Sequence, residues 1–124
     1  MLEGAGGGMT SPARILDLLI SERQFQDMVI ELALRCGWLV HAERPGLTSK
    51  GYRTPIQGIV GYPDLTMCHV KMGRVVWAEL KSEKGKVTAM QKAWLDALKL
   101  KEKEVYIWRP SMWEQIVSTL RGRQ

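Results

Sequence analysis

The chain has 124 residues, a length that suits one domain large enough to bury a core without disulfides or a structural metal. Its 45% hydrophobic and 25% charged residues are typical of a globular domain, and no apolar run approaches the roughly 18 residues of a membrane span. The net charge of +5 favours polyanionic partners. Two cysteines are too few for a disulfide scaffold, so we expect a cytoplasmic protein with no membrane association.

The N-terminal part predicts a leader followed by a short arm. Residues 1–11 are Gly-rich and have no periodicity, so we expect a flexible leader ahead of a single domain over 12–124. Residues 12–20 are more apolar and predict a helical arm that packs on the core or on a second subunit.

The first long helix has clear boundaries. Ser21 is a suitable N-cap, and Gly37 ends the helix. Glu22 lies three residues before Phe25 and seven before Val29, which recur at helical spacing. Glu22 is therefore predicted to point inward with them.

Three strands are predicted in the middle of the chain. Residues 38–42 read as a short strand, and 43–62 as a long loop of the kind that is often functional. Residues 64–70 and 74–81 flank a tight turn at Gly73 and predict a hairpin.

The second half predicts a helix, a strand and a final helix. Thr88 and Gln91 form a capping box, residues 104–109 form a strand, and Ser111 with Glu114 forms a second capping box. The residues expected to face inward are Met90, Ala93, Trp94, Ala97 and Leu98 on one helix, and Trp113, Ile116, Val117 and Leu120 on the other. The order α-β-β-β-α-β-α predicts an α/β fold with a mixed sheet flanked by helices.

The hairpin register brings charged residues together. A turn centred between Met72 and Gly73 pairs residues whose numbers sum to 145. The expected pairs are Asp64 with Lys81, Thr66 with Glu79, and Cys68 with Trp77. Directly opposite residues share a sheet face, as do residues two apart on one strand, so Asp64, Glu79 and Lys81 should converge, with Trp77 walling the site. A turn with an odd number of residues would break this parity.

Two neighbouring carboxylates repel each other unless one is protonated or a cation offsets them. Oxygen ligands suit Mg²⁺ or Mn²⁺, which can acidify a bound water and offset charge on a phosphodiester. Lys81 could orient that water or stabilise the anionic transition state. A solvated salt bridge between Glu79 and Lys81 explains the spacing equally well.

Several motifs occur in a fixed order along the chain. The sequence GYPDL at 61–65 and the sequence AELKS at 78–82 look like the PD…ExK signature of the PD-(D/E)xK nuclease superfamily. Other motifs are ExxFQ at 22–26, Gly37-Trp38, the segment AELKSEKGK, Gln91-x-x-Trp94-Leu95 and the WRP at 108–110. Together they resemble those of the VRR-NUC (virus-type replication-repair nuclease) family of that superfamily. The resemblance spans residue 21 to about 120 and implies the restriction-endonuclease-like fold.

The resemblance also implies residue roles. Asp64 and Glu79 would bind Mg²⁺ or Mn²⁺ with the backbone carbonyl of Leu80, and Lys81 would be the catalytic lysine. Two further residues match positions near the family's site: Glu22, which would contribute directly or through water, and Gln91. The capping box explains Gln91 without catalysis, and Glu22 could instead favour the helix dipole.

Basic residues flank the presumed active-site strands and predict a DNA groove. They are Arg44, Lys50, Arg53, Lys84, Lys86 and Lys92, and His41 could also contact phosphate. A solvated charge is the ordinary alternative for each of them.

The resemblance implies a metal-dependent DNA endonuclease that hydrolyses phosphodiesters with a metal-activated water. It would be a structure-selective homodimer acting on a branched substrate such as a Holliday junction or a flap, in phage or bacterial replication, recombination or repair. The alternative is a catalytically silent DNA-binding module on the same fold.

Overall fold

The computed structural model describes residues 11–43, 46–48, 51–53 and 56–122. The helices are α1 (Pro12–Leu19), α2 (Glu22–Arg35), α3 (Ala89–Lys99) and α4 (Trp113–Arg121), with a 3-10 turn at Pro110–Met112. The strands are β1 (Leu39–Ala42), β2 (Gly46–Thr48), β3 (Gly51–Arg53), β4 (Leu65–His69), β5 (Arg74–Leu80) and β6 (Val105–Trp108).

Four of these strands form one mixed sheet in the order β1-β4-β5-β6. Strand β4 runs antiparallel to β1 and β5, whereas β6 runs parallel to β5 because α3 provides the crossover between them. The predicted α/β class and mixed sheet flanked by helices are therefore confirmed. None of the helices in these ranges is long and apolar enough to cross a membrane.

The two faces of the sheet have different surroundings. Alternate residues of β4 and β5 are fully buried in a core shared with α2 and α4. This core contains Phe25, Val29, Ala33, Leu65, Met67, Val76, Ala78, Leu80, Ile116 and Leu120. Thr66, Trp77 and Glu79 alternate with these residues and therefore point to the other face.

Helix α2 begins where the sequence predicted. The Ser21 hydroxyl accepts a hydrogen bond from the backbone N–H of Gln24 at 3.1 Å, and the Gln24 side chain accepts from the Ser21 N–H at 2.9 Å. Gly37 follows the helix with a φ of 90°, a conformation that glycine adopts without strain.

The segment predicted as a loop over 43–62 contains two short strands. Strands β2 and β3 pair antiparallel, with Gly46 opposite Arg53 and Thr48 opposite Gly51. The prediction was wrong here because three-residue strands pair through their backbones and are too short to show an alternation of apolar and polar residues.

The predicted inward face of α3 was wrong in part. Trp94 and Leu98 are half-buried, but Met90, Ala93 and Ala97 are exposed, and Leu95 is the buried residue of this helix. The apolar stripe on α3 is wider than its contact with the sheet. Periodicity therefore identified an apolar side without fixing which residues touch the core.

The second capping box does not form. Pro110 begins a 3-10 turn, and α4 starts only at Trp113, without a side-chain cap. The backbone N–H of Ser111 donates instead to Oε1 of Glu83 at 3.1 Å. The Glu83 carboxylate thus accepts the hydrogen bond that the Glu114 side chain had been expected to accept.

The predicted arm is helix α1. It lies against the 3-10 turn and has no buried residue, and Arg14 forms a 2.6 Å ion pair with Glu83. Its exposed apolar residues are Ile15, Leu16, Leu18 and Leu19. Packing of this helix on a second subunit stays a prediction.

Gly61 allows the segment before β4 to lie close to α3. Its φ is 104°, and a Cβ at this position would lie 2.7 Å from the carbonyl carbon and oxygen of Met90. Those are backbone atoms in the first turn of α3, so they cannot move aside cheaply. The glycine therefore sets the distance between α3 and the chain leading to Asp64.

We expect Gly61→Ala to destabilise the protein more than Gly58→Ala. Both glycines have a positive φ, which costs an alanine about 1–2 kcal/mol, but a Cβ on Gly58 would meet no atom of the described residues within 4 Å. The contact with Met90 should add about 1–3 kcal/mol to the loss at Gly61. Equal denaturation midpoints for the two variants would contradict this packing.

Candidate active site

The β4–β5 register differs from the predicted one by two residues. Thr66 pairs with Trp77 rather than with Glu79, because residues 70–73 all lie in the turn between His69 and Arg74. The turn is thus centred one residue earlier than predicted. A shift of two residues preserves the sheet face, so the expected convergence survives, with Asp64 brought opposite Glu79 instead of Lys81.

Asp64, Glu79 and Lys81 form a compact charged group. Oδ2 of Asp64 accepts a hydrogen bond from the backbone N–H of Leu80 at 2.8 Å, which fixes this carboxylate against β5. Nζ of Lys81 lies 3.6 Å from Oε2 of Glu79. Glu79 is 1% exposed and Lys81 is 7% exposed. A solvated surface salt bridge between these two residues is therefore excluded.

The electrostatics of Glu79 disfavour its ionised form. Burial, the charge of Asp64 and a hydrogen bond to the Asp64 side chain together raise the pKa of Glu79 to about 8, although Lys81 acts in the opposite direction. Oε1 of Glu79 is buried and has no hydrogen-bond partner among the described residues. The single ammonium group of Lys81 thus leaves the carboxylate pair incompletely compensated.

This donor set fits a small divalent cation. Carboxylate and carbonyl oxygens are the ligands that Mg²⁺ and Mn²⁺ prefer, and an unpartnered buried oxygen beside a second carboxylate is a place where such an ion would offset charge. Among the residues that the structure describes, no group of three or more His, Cys, Asp or Glu side chains could hold a metal ion. The acidic part of the site is therefore the pair Asp64 and Glu79.

An aromatic cluster adjoins this pair. The indole N–H of Trp77 donates to the Tyr62 hydroxyl at 3.0 Å, and that hydroxyl lies 2.8 Å from Oγ1 of Thr66. The rings of Tyr62 and Trp94 meet edge to face with centroids 5.1 Å apart. Trp77 points to the same face as Glu79, as predicted. The sequence analysis gave Tyr62 no role, although this residue belongs to the GYPDL motif at 61–65.

The loop after Lys81 is held by two residues that the sequence did not single out. Nη1 of Arg109 donates to backbone carbonyls of this loop, including those of Ser82 and Gly85. Burial disfavours ionisation of Glu83, but hydrogen bonds from Ser111 and Arg14 outweigh it and lower the pKa of this carboxyl group. The WRP motif at 108–110 was the available sign of Arg109.

Two further predicted site residues lie differently. Glu22 was expected to point inward but is exposed. Helical spacing gives a direction around the helix axis, and it does not show how far the first turn extends beyond the core. Gln91 is half-buried, and its side-chain oxygen accepts from the Thr88 N–H at 2.9 Å, which confirms the capping box. Catalytic roles for both residues stay predictions.

The predicted DNA-binding residues are only partly described. Arg44 and Lys50 lie outside the described residues, and Arg53 is described only as a backbone position in β3. Lys84 and Lys86 are exposed on the loop after Lys81. His41 is exposed opposite Thr66, on the sheet face of the site, whereas Lys92 pairs with Asp96 at 2.6 Å.

Comparisons with protein-family models, curated proteins and solved structures gave no match to this chain.

We expect Glu79→Gln to stabilise the metal-free protein at pH 8 and to have little effect near pH 5. The raised pKa of Glu79 means that the folded state retains a proton that the unfolded chain loses above about pH 4.5. The wild type should therefore lose stability as pH rises toward 8, on the order of 2–4 kcal/mol from this group. Because glutamine does not ionise, the Glu79→Gln variant should not show this loss of stability.

Denaturant unfolding in EDTA at several pH values measures this difference. Asp96→Asn is the matched control, because Asp96 is an exposed carboxylate paired with Lys92 on α3. A stability difference between Glu79→Gln and the wild type that does not change with pH would contradict the assignment.

Proposed function

We propose that this protein is a Mg²⁺- or Mn²⁺-dependent DNA endonuclease of the VRR-NUC type, with the restriction-endonuclease-like fold. The single observation that carries the proposal is the buried group of Asp64, Glu79 and Lys81, in which a carboxylate oxygen has no hydrogen-bond partner among the described residues. Burying charge costs stability unless it is well compensated, so such a group is more readily understood as a functional site than as a stabilising one.

The proposed division of roles follows from the chemistry of the side chains. Asp64 and Glu79 would hold the cation together with the carbonyl of Leu80. When bound, the ion would acidify a water and offset charge on the phosphodiester. Lys81 would stabilise the anionic transition state or orient the attacking water. Its side chain is almost fully buried, and a buried charge interacts more strongly with its neighbours than a charge in bulk water does.

The fold supports this proposal in two ways. Glu79 lies within β5, and Asp64 and Lys81 directly adjoin the ends of the paired strands β4 and β5, which position a site more accurately than long loops do. Lys84 and Lys86 are exposed a few residues beyond Lys81, where they could contact phosphates that flank the cleaved bond. The net charge of +5 is consistent with such a partner.

The substrate and assembly are proposed from the resemblance. We propose a branched substrate such as a Holliday junction or a flap, 5′-phosphate and 3′-hydroxyl products, and a setting in bacterial or phage-infected cells. A single site per chain would favour a homodimer for cutting two strands. The exposed apolar residues of α1 offer one surface for that contact.

We expect the wild type to cut labelled junction, flap or linear DNA with Mg²⁺ or Mn²⁺ and not with EDTA. Asp64→Asn and Lys81→Ala should each lower the cleavage rate by about a hundredfold or more, because each removes charge at the reacting phosphate. Asp96→Asn and Lys99→Ala are exposed controls and should retain activity. Salt-sensitive binding without any cutting would instead support the silent DNA-binding module.

We expect Lys84→Gln combined with Lys86→Gln to weaken DNA binding and to reduce its salt dependence. Loss of two phosphate contacts should lower the slope of log K against log salt by roughly 1.8. The matched control is Lys99→Gln with Lys101→Gln, because Lys99 is the last residue of α3 and Lys101 lies just beyond it, roughly 15 Å along the helix axis from the first residue of α3. Equal slopes for the two double variants, measured in EDTA, would contradict a phosphate role for Lys84 and Lys86.

A further inference from the structure

Lys81 and Arg109 leave the sheet side by side. Strands β5 and β6 are parallel, with Leu80 opposite Trp108, and the backbone N–H of Lys81 continues the pairing by donating to the Trp108 carbonyl at 3.0 Å. Arg109 is the next residue after β6. The position of Lys81 is therefore tied to the end of β6 before any side-chain contact is considered.

The Arg109 side chain then holds the loop that follows Lys81. Its Nη1 donates to the carbonyl of Ser82 at 2.8 Å and to that of Gly85 at 2.7 Å, with a longer contact of 3.3 Å to the carbonyl of Glu83. Hydrogen bonds from a charged donor are shorter and stronger than neutral ones. The loop also closes on itself, because the Gly85 N–H donates to the backbone carbonyl of Ser82 at 3.1 Å.

This loop lies against the side chain of Lys81. A Cβ on Gly85 would lie 3.6 Å from Cδ of Lys81 and 3.0 Å from the Ser82 hydroxyl. The backbone at Gly85 is therefore close to the methylene chain that carries the ammonium group. Movement of the loop would change the space available to that chain.

Glu83 is a second anchor for the same loop. Its carboxylate side chain is 8% exposed and accepts from the Ser111 N–H at 3.1 Å and from Nη1 of Arg14 at 2.6 Å. The two partners of Glu83 lie on different elements, Ser111 in the 3-10 turn and Arg14 in α1. The loop is consequently held by two sets of contacts, those of Arg109 with its carbonyls and those of the Glu83 carboxylate with these two elements.

We propose that Arg109 is a positioning residue for the nuclease reaction. It fixes the loop of residues 82–85 so that this loop confines Lys81 beside Glu79. This inference rests on the proposed function. Arg109 is not a catalytic residue, since its contacts are with backbone carbonyls of the loop and it acts on the reaction through Lys81.

Arg74 provides a matched comparison. It is also a half-buried arginine at a strand end, where Nε and Nη2 donate to the Glu104 carboxylate at 2.9 and 2.6 Å. Arg74 is the first residue of β5, whereas Lys81 directly follows the last. Loss of either arginine should lower stability, but only loss of Arg109 should release the loop beside Lys81.

The test compares Arg109→Ala with Arg74→Ala. It measures the single-turnover cleavage rate at saturating DNA, the Kd for DNA in EDTA and the thermal midpoint. We expect Arg109→Ala to lower the rate at least about tenfold with a smaller change in Kd, because misplacing a reacting group reduces the rate more than binding. Arg74→Ala should lower the thermal midpoint and leave the rate nearly unchanged below it. Added guanidinium should restore part of the Arg109→Ala rate relative to sodium at equal ionic strength.

The outcomes separate this inference from the proposed function. The positioning role alone would be overturned if the wild type cuts DNA, the Arg109→Ala and Arg74→Ala variants cut at equal rates, and guanidinium does not restore activity. A wild type that cuts no DNA with either metal would overturn both. If Arg109→Ala does not fold, Arg109→Lys is measured by the same criteria, since lysine keeps the charge and loses the planar donor geometry.

Discussion

The burial of Glu79 beside Asp64 is the constraint on which the rest of this structure depends. Burial of Glu79, and after it the charge of Asp64, raise the pKa of Glu79 to about 8. Lys81 offsets only part of that charge from a distance of 3.6 Å. This arrangement lowers the stability of the protein when no cation is bound. It can persist because the surrounding strands are stabilised by a separate, fully apolar core on the opposite sheet face.

Backbone contacts hold this group in place. The Leu80 N–H binds Asp64, the Lys81 N–H binds the end of β6, and Gly61 sets the approach of the preceding segment to α3. Each contact involves at least one backbone atom of the segments that carry the charged residues. The backbone is therefore held in place around the site, which helps to explain how the carboxylates are kept close.

The sequence predicted the elements that have strong local signals. Ser21 and Thr88 each cap a helix through a pattern that spans only four residues, and the 64–81 hairpin follows from two apolar strands around a turn. Its exact register could not be predicted, because the residue pattern does not show how many residues belong to the turn. The convergence of Asp64 with Glu79 was nevertheless predictable, since a two-residue shift leaves the sheet face unchanged.

Contacts between distant segments were beyond the reach of the sequence. Nothing near Ser111 indicates that its N–H binds Glu83, 28 residues earlier, and nothing near Arg109 shows that its partners are carbonyls after Lys81. These contacts exist because parallel pairing of β5 and β6 brings both strand ends to one edge of the sheet. The same pairing places the lysine, its loop and the arginine at one edge. A long-range feature of topology thus governs the surroundings of a site whose own residues were visible in the sequence.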